Sequence, residues 1–233
     1  MASFVKESIE SSNHKCVGMY DPLGNGNYKD LKEIVTKIDG IIDFSHFSLT
    51  EEILKYAIEI NSPLVIATTG HTDEQKLKIE EASKKIAILK ATNTSLGVNI
   101  MNQIVSYATK LLADFDIELI EKHHNRKIDA PSGTAVTLLE VINESFSEKK
   151  NFVYGREGNK KREKNEIGVH AIRAGNIVGE HTVIFSSGDE IIEIKHEALS
   201  RKIFADGAVK AILSLINKLS RLDFMKDNIN INN

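Results

Sequence analysis

Cysteine is nearly absent: Cys16 stands alone among 233 residues, which excludes an intrachain disulfide framework. It lies in a short apolar run, residues 16–20, and is read as a packing side chain. A basic excess is lacking too. Lys and Arg number 30 against 33 Asp and Glu, a formal net charge of −3, which argues against general nucleic-acid binding. No apolar run is long enough to span a membrane and no secretory signal is evident, so the expected location is the cytoplasm. No internal repeat is apparent. The histidines lack paired zinc-ligand spacing and no cysteine joins them, so no metal is expected. His14, His46 and His71 are read as surface or loop residues, and His170, His181 and His196 as packing or loop-anchoring ones.

Short apolar segments alternate with helical periodicity in the first half. Met1, Val5 and Ile9 recur every four residues and predict a helix. Strands are predicted at 16–20, 40–44, 63–68 and 86–91. Between them, Leu31, Ile34, Val35 and Ile38 predict one helix, Thr50 is read as capping a second that runs to Ile60, and a polar helix follows Gly70. This pattern indicates a parallel sheet covered on both faces, a doubly wound, Rossmann-like nucleotide domain over residues 1–95. Ligands of such folds bind beyond the carboxyl ends of the strands. Asp21, Asp43, the Thr68-Thr69-Gly70 segment and the Ala91-Thr92-Asn93 segment occupy those ends. Asp21 is placed to accept hydrogen bonds from an adenosine ribose and to repel a 2′-phosphate, or else it forms a turn before Pro22. A strand and glycine-rich turn ahead of the first helix are missing. The expectation is that roughly twenty residues fewer are present than the fold needs, with weak dinucleotide binding as the consequence.

A second domain is expected over residues 96–204. A helix through Leu112 carries Ile100, Ile104, Ala108 and Leu111 on one face. Residues 154–166 read as an exposed charged loop, and strands follow at 182–185 and 191–194. Successive strands after a helix suggest an α+β arrangement, an open mixed sheet with helices on one face. A last helix with Ala208, Ile212, Leu215, Ile216 and Leu219 precedes a polar tail, 227–233, expected to fray.

Residues 118–135 hold the densest chemistry. An alternating strand leads to His123, His124, Arg126 and Lys127, then to Pro131-Ser132-Gly133-Thr134, a predicted helix start. The unpartnered N–H groups of a helix N-terminus bind anions, and cations beside it suggest a substrate with more than one carboxylate. His and Lys can supply protons. A basic run can equally be a solvated face.

This string closely resembles the signature of the 4-hydroxy-tetrahydrodipicolinate (dihydrodipicolinate) reductase family: Glu, apolar, x, Glu, x, His, three variable residues, Lys, x, Asp, x, Pro-Ser-Gly-Thr-Ala. Every fixed position is met, from Glu118 to Ala135. Residues 167–176 and the Arg-x-x-Phe-Ala-x-Gly-Ala pattern at 201–208 are similar to further family segments. The resemblance implies reduction of a cyclic dicarboxylate in lysine biosynthesis by NADH or NADPH. It implies His123 as general acid, and Lys127 in assisting loss of the ring hydroxyl or holding a carboxylate. His124, Ser132, Gly133 and Thr134 would bind substrate. Thr68, Thr69, Gly70, Ala91, Thr92, Asn93 and Thr94 would line the cofactor site, although the family usually has an aromatic where Thr94 stands. It further implies that residues 205–233 complete the nucleotide domain, and a homotetramer formed through the substrate domain, with no nucleic-acid or membrane partner. Two rivals stay open: a truncated or degenerate pseudoenzyme that binds dicarboxylates, and another two-domain nicotinamide oxidoreductase.

Overall fold

The structure, a computed structural model, describes residues 1–228, apart from the side chains of Lys226 and Asn228. In chain order the main elements are α1 (Ala2–Ser11), β1 (Ile41–Asp43), α2 (Thr50–Glu59), β2 (Leu64–Ile66), α3 (Asp73–Ser83), β3 (Ala87–Lys90) and α4 (Leu96–Leu111). There follow β4 (Asp116–His123), α5 (Gly133–Glu144), β5 (Asn151–Tyr154), β6 (Glu166–Arg173), β7 (Gly179–Ser186), β8 (Ile191–Ala198), α6 (Lys202–Leu215) and β9 (Arg221–Phe224). They divide into two units: residues 1–96 with the segment from Arg201 onward, and Gly97–Ser200.

The first unit is built on a parallel sheet of order β1-β2-β3-β9. Its strands are apolar on both faces because both faces are covered. Leu64, Ile66 and Ile88 pack against Ile53, Leu54 and Ala57 of α2 and Ile79 and Ala82 of α3. Val65, Ala87 and Leu89, on the opposite face, pack against Ala208, Ala211, Ile212 and Leu215 of α6. A capping box starts α3: Thr72 accepts from the Gln75 N–H while the Gln75 side chain returns to the Thr72 N–H. Helix α1 lies on α6, with the Ser8 hydroxyl donating to Asp206 at 2.7 Å and Lys202 paired with Glu7 at 2.9 Å. Helix α6 can come this close to the segment after β3 because of Gly207. A Cβ there would sit 1.8 Å from the Thr94 carbonyl oxygen. Gly207→Ala is therefore expected to lower stability by about 1–3 kcal/mol, as overpacking does. An unchanged thermal unfolding midpoint would show that α6 can shift at no cost.

The second unit is a mixed sheet of order β5-β6-β4-β7-β8. β4 pairs parallel with β6 and antiparallel with β7. On one face, Met101 and Val105 of α4 and Leu138, Leu139 and Ile142 of α5 pack over Ile117, Leu119, Ile167, Val169, Val183 and Phe185. The other face carries charge pairs: Lys122 with Glu180 at 2.6 Å and Lys195 with Glu180 at 3.1 Å. A parallel sheet covered on both faces in one unit, and an open mixed sheet with helices on one face in the other, are the architecture expected from the alternating patterns.

Several local expectations fail. Residues 16–20 form no strand; Tyr20 makes only an isolated bridge with Tyr28. Residues 31–38 form no helix but a 3-10 turn, Leu31–Glu33, and Val35 is exposed. The Asp30 side chain accepts from the Lys32 N–H, and Ile34 is already extended, so local capping ends the turn before the apolar period can be used. Thr50 is the first residue of α2 rather than its cap, and the cap position is Leu49. Helix α6 stops at Leu215; Asn217 turns the chain at φ 68°, leaving Leu219 exposed. Three strands went unforeseen: β5 and β9, four residues each with charged or polar members that carry too little pattern, and β6, whose residues were matched only as a family-like segment. In β9, Asp223 is buried and held by Arg221 at 2.5 Å and Lys218 at 3.5 Å. The charged run before β6 is not simply solvated, since Arg162 donates to Asp116, Glu118 and the Glu166 carbonyl. Of the tail expected to fray, Asp227 and Asn228 lie in a 3-10 turn and 229–233 fall outside the described residues.

Candidate active site

Strand β4 alternates buried and half-buried positions, so Ile117, Leu119, Glu121 and His123 all point to the helix-covered face. Two polar side chains thereby enter an apolar layer, and such burial is tolerated only when hydrogen bonds compensate it. Glu121 is fully buried. Its carboxylate accepts from His123 Nδ1 at 2.5 Å, the Ser132 N–H at 3.1 Å, and Arg173 Nη1 and Nη2 at 2.8 and 2.7 Å. Burial works to raise its pKa, but the bonds from His123 and Arg173 prevail and bring it down to about 2. The group is thus a carboxylate, which can only accept, so His123 Nδ1 carries a proton toward it. The other nitrogen, Nε2, has no hydrogen bond to any described residue and lies where a Cβ on Gly179 would approach to 3.1 Å. Glycine at 179 leaves the imidazole its room.

The helix after Pro131 begins as expected. Ser132 is the N-cap of α5, its hydroxyl oxygen accepting from the Ala135 N–H at 3.3 Å. The Ser132 N–H, however, is given to Glu121, so it is not one of the donors for an external anion. Gly133 is exposed, with open space where a Cβ would be, and Thr134 is buried. Lys127 Nζ holds both oxygens of Asp129, at 2.8 and 2.9 Å. Burial raises the Asp129 pKa, but the Lys127 bond outweighs it and leaves it lowered. The Asp129 carbonyl accepts from Arg173 Nη2 at 2.7 Å, which ties the Lys127 loop to the Glu121 cluster. His124 lies just past the end of β4 and is half-buried. The structure thus gathers His123, Lys127 and the start of α5 around Glu121. Arg173, His181 and Gly179 belong to the same cluster and were missed as site residues. The period-two alternation of β4 could have paired Glu121 with His123; nothing local in the sequence announces the other three.

The cofactor candidates lie at the carboxyl ends of strands in the first unit. Thr69, Gly70 and Thr92 are exposed and Asn93 is half-buried. Gly70 has φ 84°, which a side chain would strain. Thr68 is buried, its hydroxyl donating to the Ser45 carbonyl at 3.2 Å, and Ala91 is buried as well. Thr94 does not face outward: it is buried, and its hydroxyl donates to the Phe204 carbonyl at 2.6 Å. Packing against α6 is its role here. The Asp21 carboxylate accepts from the Leu23 N–H and from the Asn25 side chain, which is turn-forming. The Thr69-Gly70 turn and the Thr92-Asn93 segment thus lie at strand ends, where ligands of doubly wound folds bind. Among the described residues no glycine-rich turn joins a strand to α1. No described group of three His, Cys, Asp or Glu could hold a metal. No described helix is long and apolar enough to cross a membrane.

Comparison with known proteins gives concordant results. Residues 1–94 match the family described as dihydrodipicolinate reductase, N-terminus, and residues 97–229 the one described as dihydrodipicolinate reductase, C-terminus. The chain is 46% identical over 228 residues to a 4-hydroxy-tetrahydrodipicolinate reductase of Brachyspira hyodysenteriae, covering 97% of this chain and 94% of that one. It is 49% identical over 197 residues to the enzyme of the same name from Exiguobacterium sibiricum, 84% and 79% of the two chains. A dipicolinate-bound dihydrodipicolinate reductase from Paenisporosarcina superposes with a TM-score of 0.67 at 26% identity, over 86% of this chain and 76% of that one.

Proposed function

The chain belongs to the dihydrodipicolinate reductase family, and from that premise we propose that it reduces 4-hydroxy-tetrahydrodipicolinate to tetrahydrodipicolinate, with NADH or NADPH, in lysine biosynthesis. Bound nicotinamide supplies the hydride. The observation that carries the reading is the His123 imidazole, held by a buried carboxylate through Nδ1 and open at Nε2. A nitrogen so oriented can deliver a proton as general acid. Lys127, on the loop tied to Arg173, holds a substrate carboxylate or assists loss of the ring hydroxyl. The N–H groups at the start of α5, at Gly133 and Thr134, take the second carboxylate, where the helix dipole favours negative charge; His124 contacts the substrate. Thr69, Gly70, Thr92 and Asn93 line the nicotinamide side of the cofactor site. The charged open face of the second sheet supports assembly between copies into a homotetramer. The enzyme works in the cytoplasm.

The test is substrate-dependent oxidation of NADH and of NADPH by the purified chain. Lys127→Ala is expected to lower both substrate affinity and turnover, with Lys127→Arg restoring only part of each. A guanidinium keeps the charge but not the compact, titratable ammonium. Oxidation with neither cofactor would remove the reductase assignment for this chain, and full activity in the Arg variant would show that charge alone suffices at 127.

A further inference from the structure

His181, buried beside the expected substrate-binding Ser132, has no place yet in the chemistry. Any role for it in binding rests on the assignment of a substrate carboxylate to the start of α5. His181 lies on the helix-facing side of β7 and is 4% exposed. Its Nε2 is 2.9 Å from Ser132 Oγ, and its ring meets that of His123 edge-on, with centroids 5.2 Å apart. Nδ1 is buried and has no hydrogen-bond partner among the described residues.

Burial above all, then the neighbouring His123, pushes the His181 pKa down to about 3, so the ring is neutral and carries a single proton. Were that proton on Nδ1, a buried donor would be left with nothing to accept it. With the proton on Nε2, only a lone pair goes unmatched, and the N–H is used on Ser132. An orphaned buried N–H is the rarer and costlier arrangement, so Nε2 is the donor. Ser132 Oγ then receives two hydrogen bonds, one from His181 and one from the Ala135 N–H. A hydroxyl has two lone pairs and one proton. With both lone pairs engaged, the Ser132 proton is available only for donation.

We propose that His181 is a positioning residue that sets the polarity of the Ser132 hydroxyl, so that Ser132 acts as a hydrogen-bond donor to the substrate carboxylate at the start of α5. His181 itself touches no substrate. It acts through Ser132 and, by its edge contact, limits the tilt of the His123 ring.

Calorimetric titration of the full chain with dipicolinate tests this. His181→Leu is expected to weaken binding about 10- to 100-fold, the range for losing a hydrogen bond to a charged group. His181→Gln, whose amide nitrogen can stand in for Nε2, should recover most of it. Were His181 only a packing residue, the order would reverse, because a buried amide is worse tolerated than leucine. In a Ser132→Ala background, His181→Leu should add nothing further. Wild-type affinity in His181→Leu, equal losses in Leu and Gln, or full additivity with Ser132→Ala would each overturn the proposal. Should His181→Leu not fold, Ser132→Ala decides by itself: unweakened dipicolinate binding there sinks the idea. If the wild-type chain does not bind dipicolinate at all, the carboxylate assignment falls first and this inference with it.

Discussion

Replacing His123 by alanine is expected to lower kcat by about 10²- to 10⁴-fold, the usual cost of losing a general acid. Dipicolinate affinity should stay nearly unchanged. Both halves of that expectation come from geometry. His123 Nδ1 is committed to Glu121, so the proton-donating nitrogen must be Nε2, which has no partner among the described residues. The carboxylate-binding groups proposed at Lys127, Ser132, Gly133 and Thr134 are not bonded to that ring. Removing the imidazole also leaves Glu121 with its bonds from Arg173 and the Ser132 N–H, so the cluster should hold. Steady-state kinetics beside dipicolinate titration separates the two effects. Unchanged kcat would remove His123 from the proton transfer, and loss of binding in step with kcat would make it a binding residue instead.

Glu121 should be the most costly single position for stability. Its carboxylate is the acceptor for a buried histidine, a backbone N–H and both terminal nitrogens of Arg173. Glu121→Ala leaves the Arg173 guanidinium uncompensated, and breaking one side of a buried ion pair costs about 3–5 kcal/mol. Glu121→Gln keeps the shape but not the charge, and should lose stability as well as turnover, since His123 is no longer held by a pure acceptor. A pH signature identifies the charge itself. The folded-state pKa, about 2, lies below the ordinary value of 4.5. A depressed carboxyl contributes stability that is present above the unfolded pKa and disappears as pH falls through the folded one. The stability gap between wild type and Glu121→Gln should therefore shrink as pH drops from about 4.5 toward about 2. Denaturant unfolding of both proteins across that window measures the gap. A gap that stays constant throughout would show that the charge on Glu121 does not matter to folding.

Much of the secondary structure could be read from the chain alone, and the failures have a shared cause. The strands β1, β2, β3, β4, β7 and β8 lie where apolar runs or alternation predicted them. The start of α5 at Ser132 follows from local chemistry, a cap residue after proline. Residues 31–38 show the opposite case: an apolar period sufficient for a helix, defeated by Asp30 capping a 3-10 turn. β9 is legible only as the parallel neighbour of β3, a partner far away in sequence.

The sequence by itself determined the alternating α/β pattern of the first half, the strand-rich second half, and the string from Glu118 to Ala135 by which the family is recognised. It also determined which face of β4 carries Glu121 and His123, because a strand repeats every two residues. Tertiary structure alone decided what that face does. Arg173 reaches Glu121 across 52 positions of chain, and His181 reaches Ser132 across 49. The Ser132 N–H that local reasoning offered to a substrate is spent on Glu121, and Thr94, expected at a cofactor, is buried against α6. Periodicity and capping act over a few residues and leave their mark in the local sequence. A buried charge must find its partners wherever the fold brings them, and those pairings exist only once the sheet has closed its register.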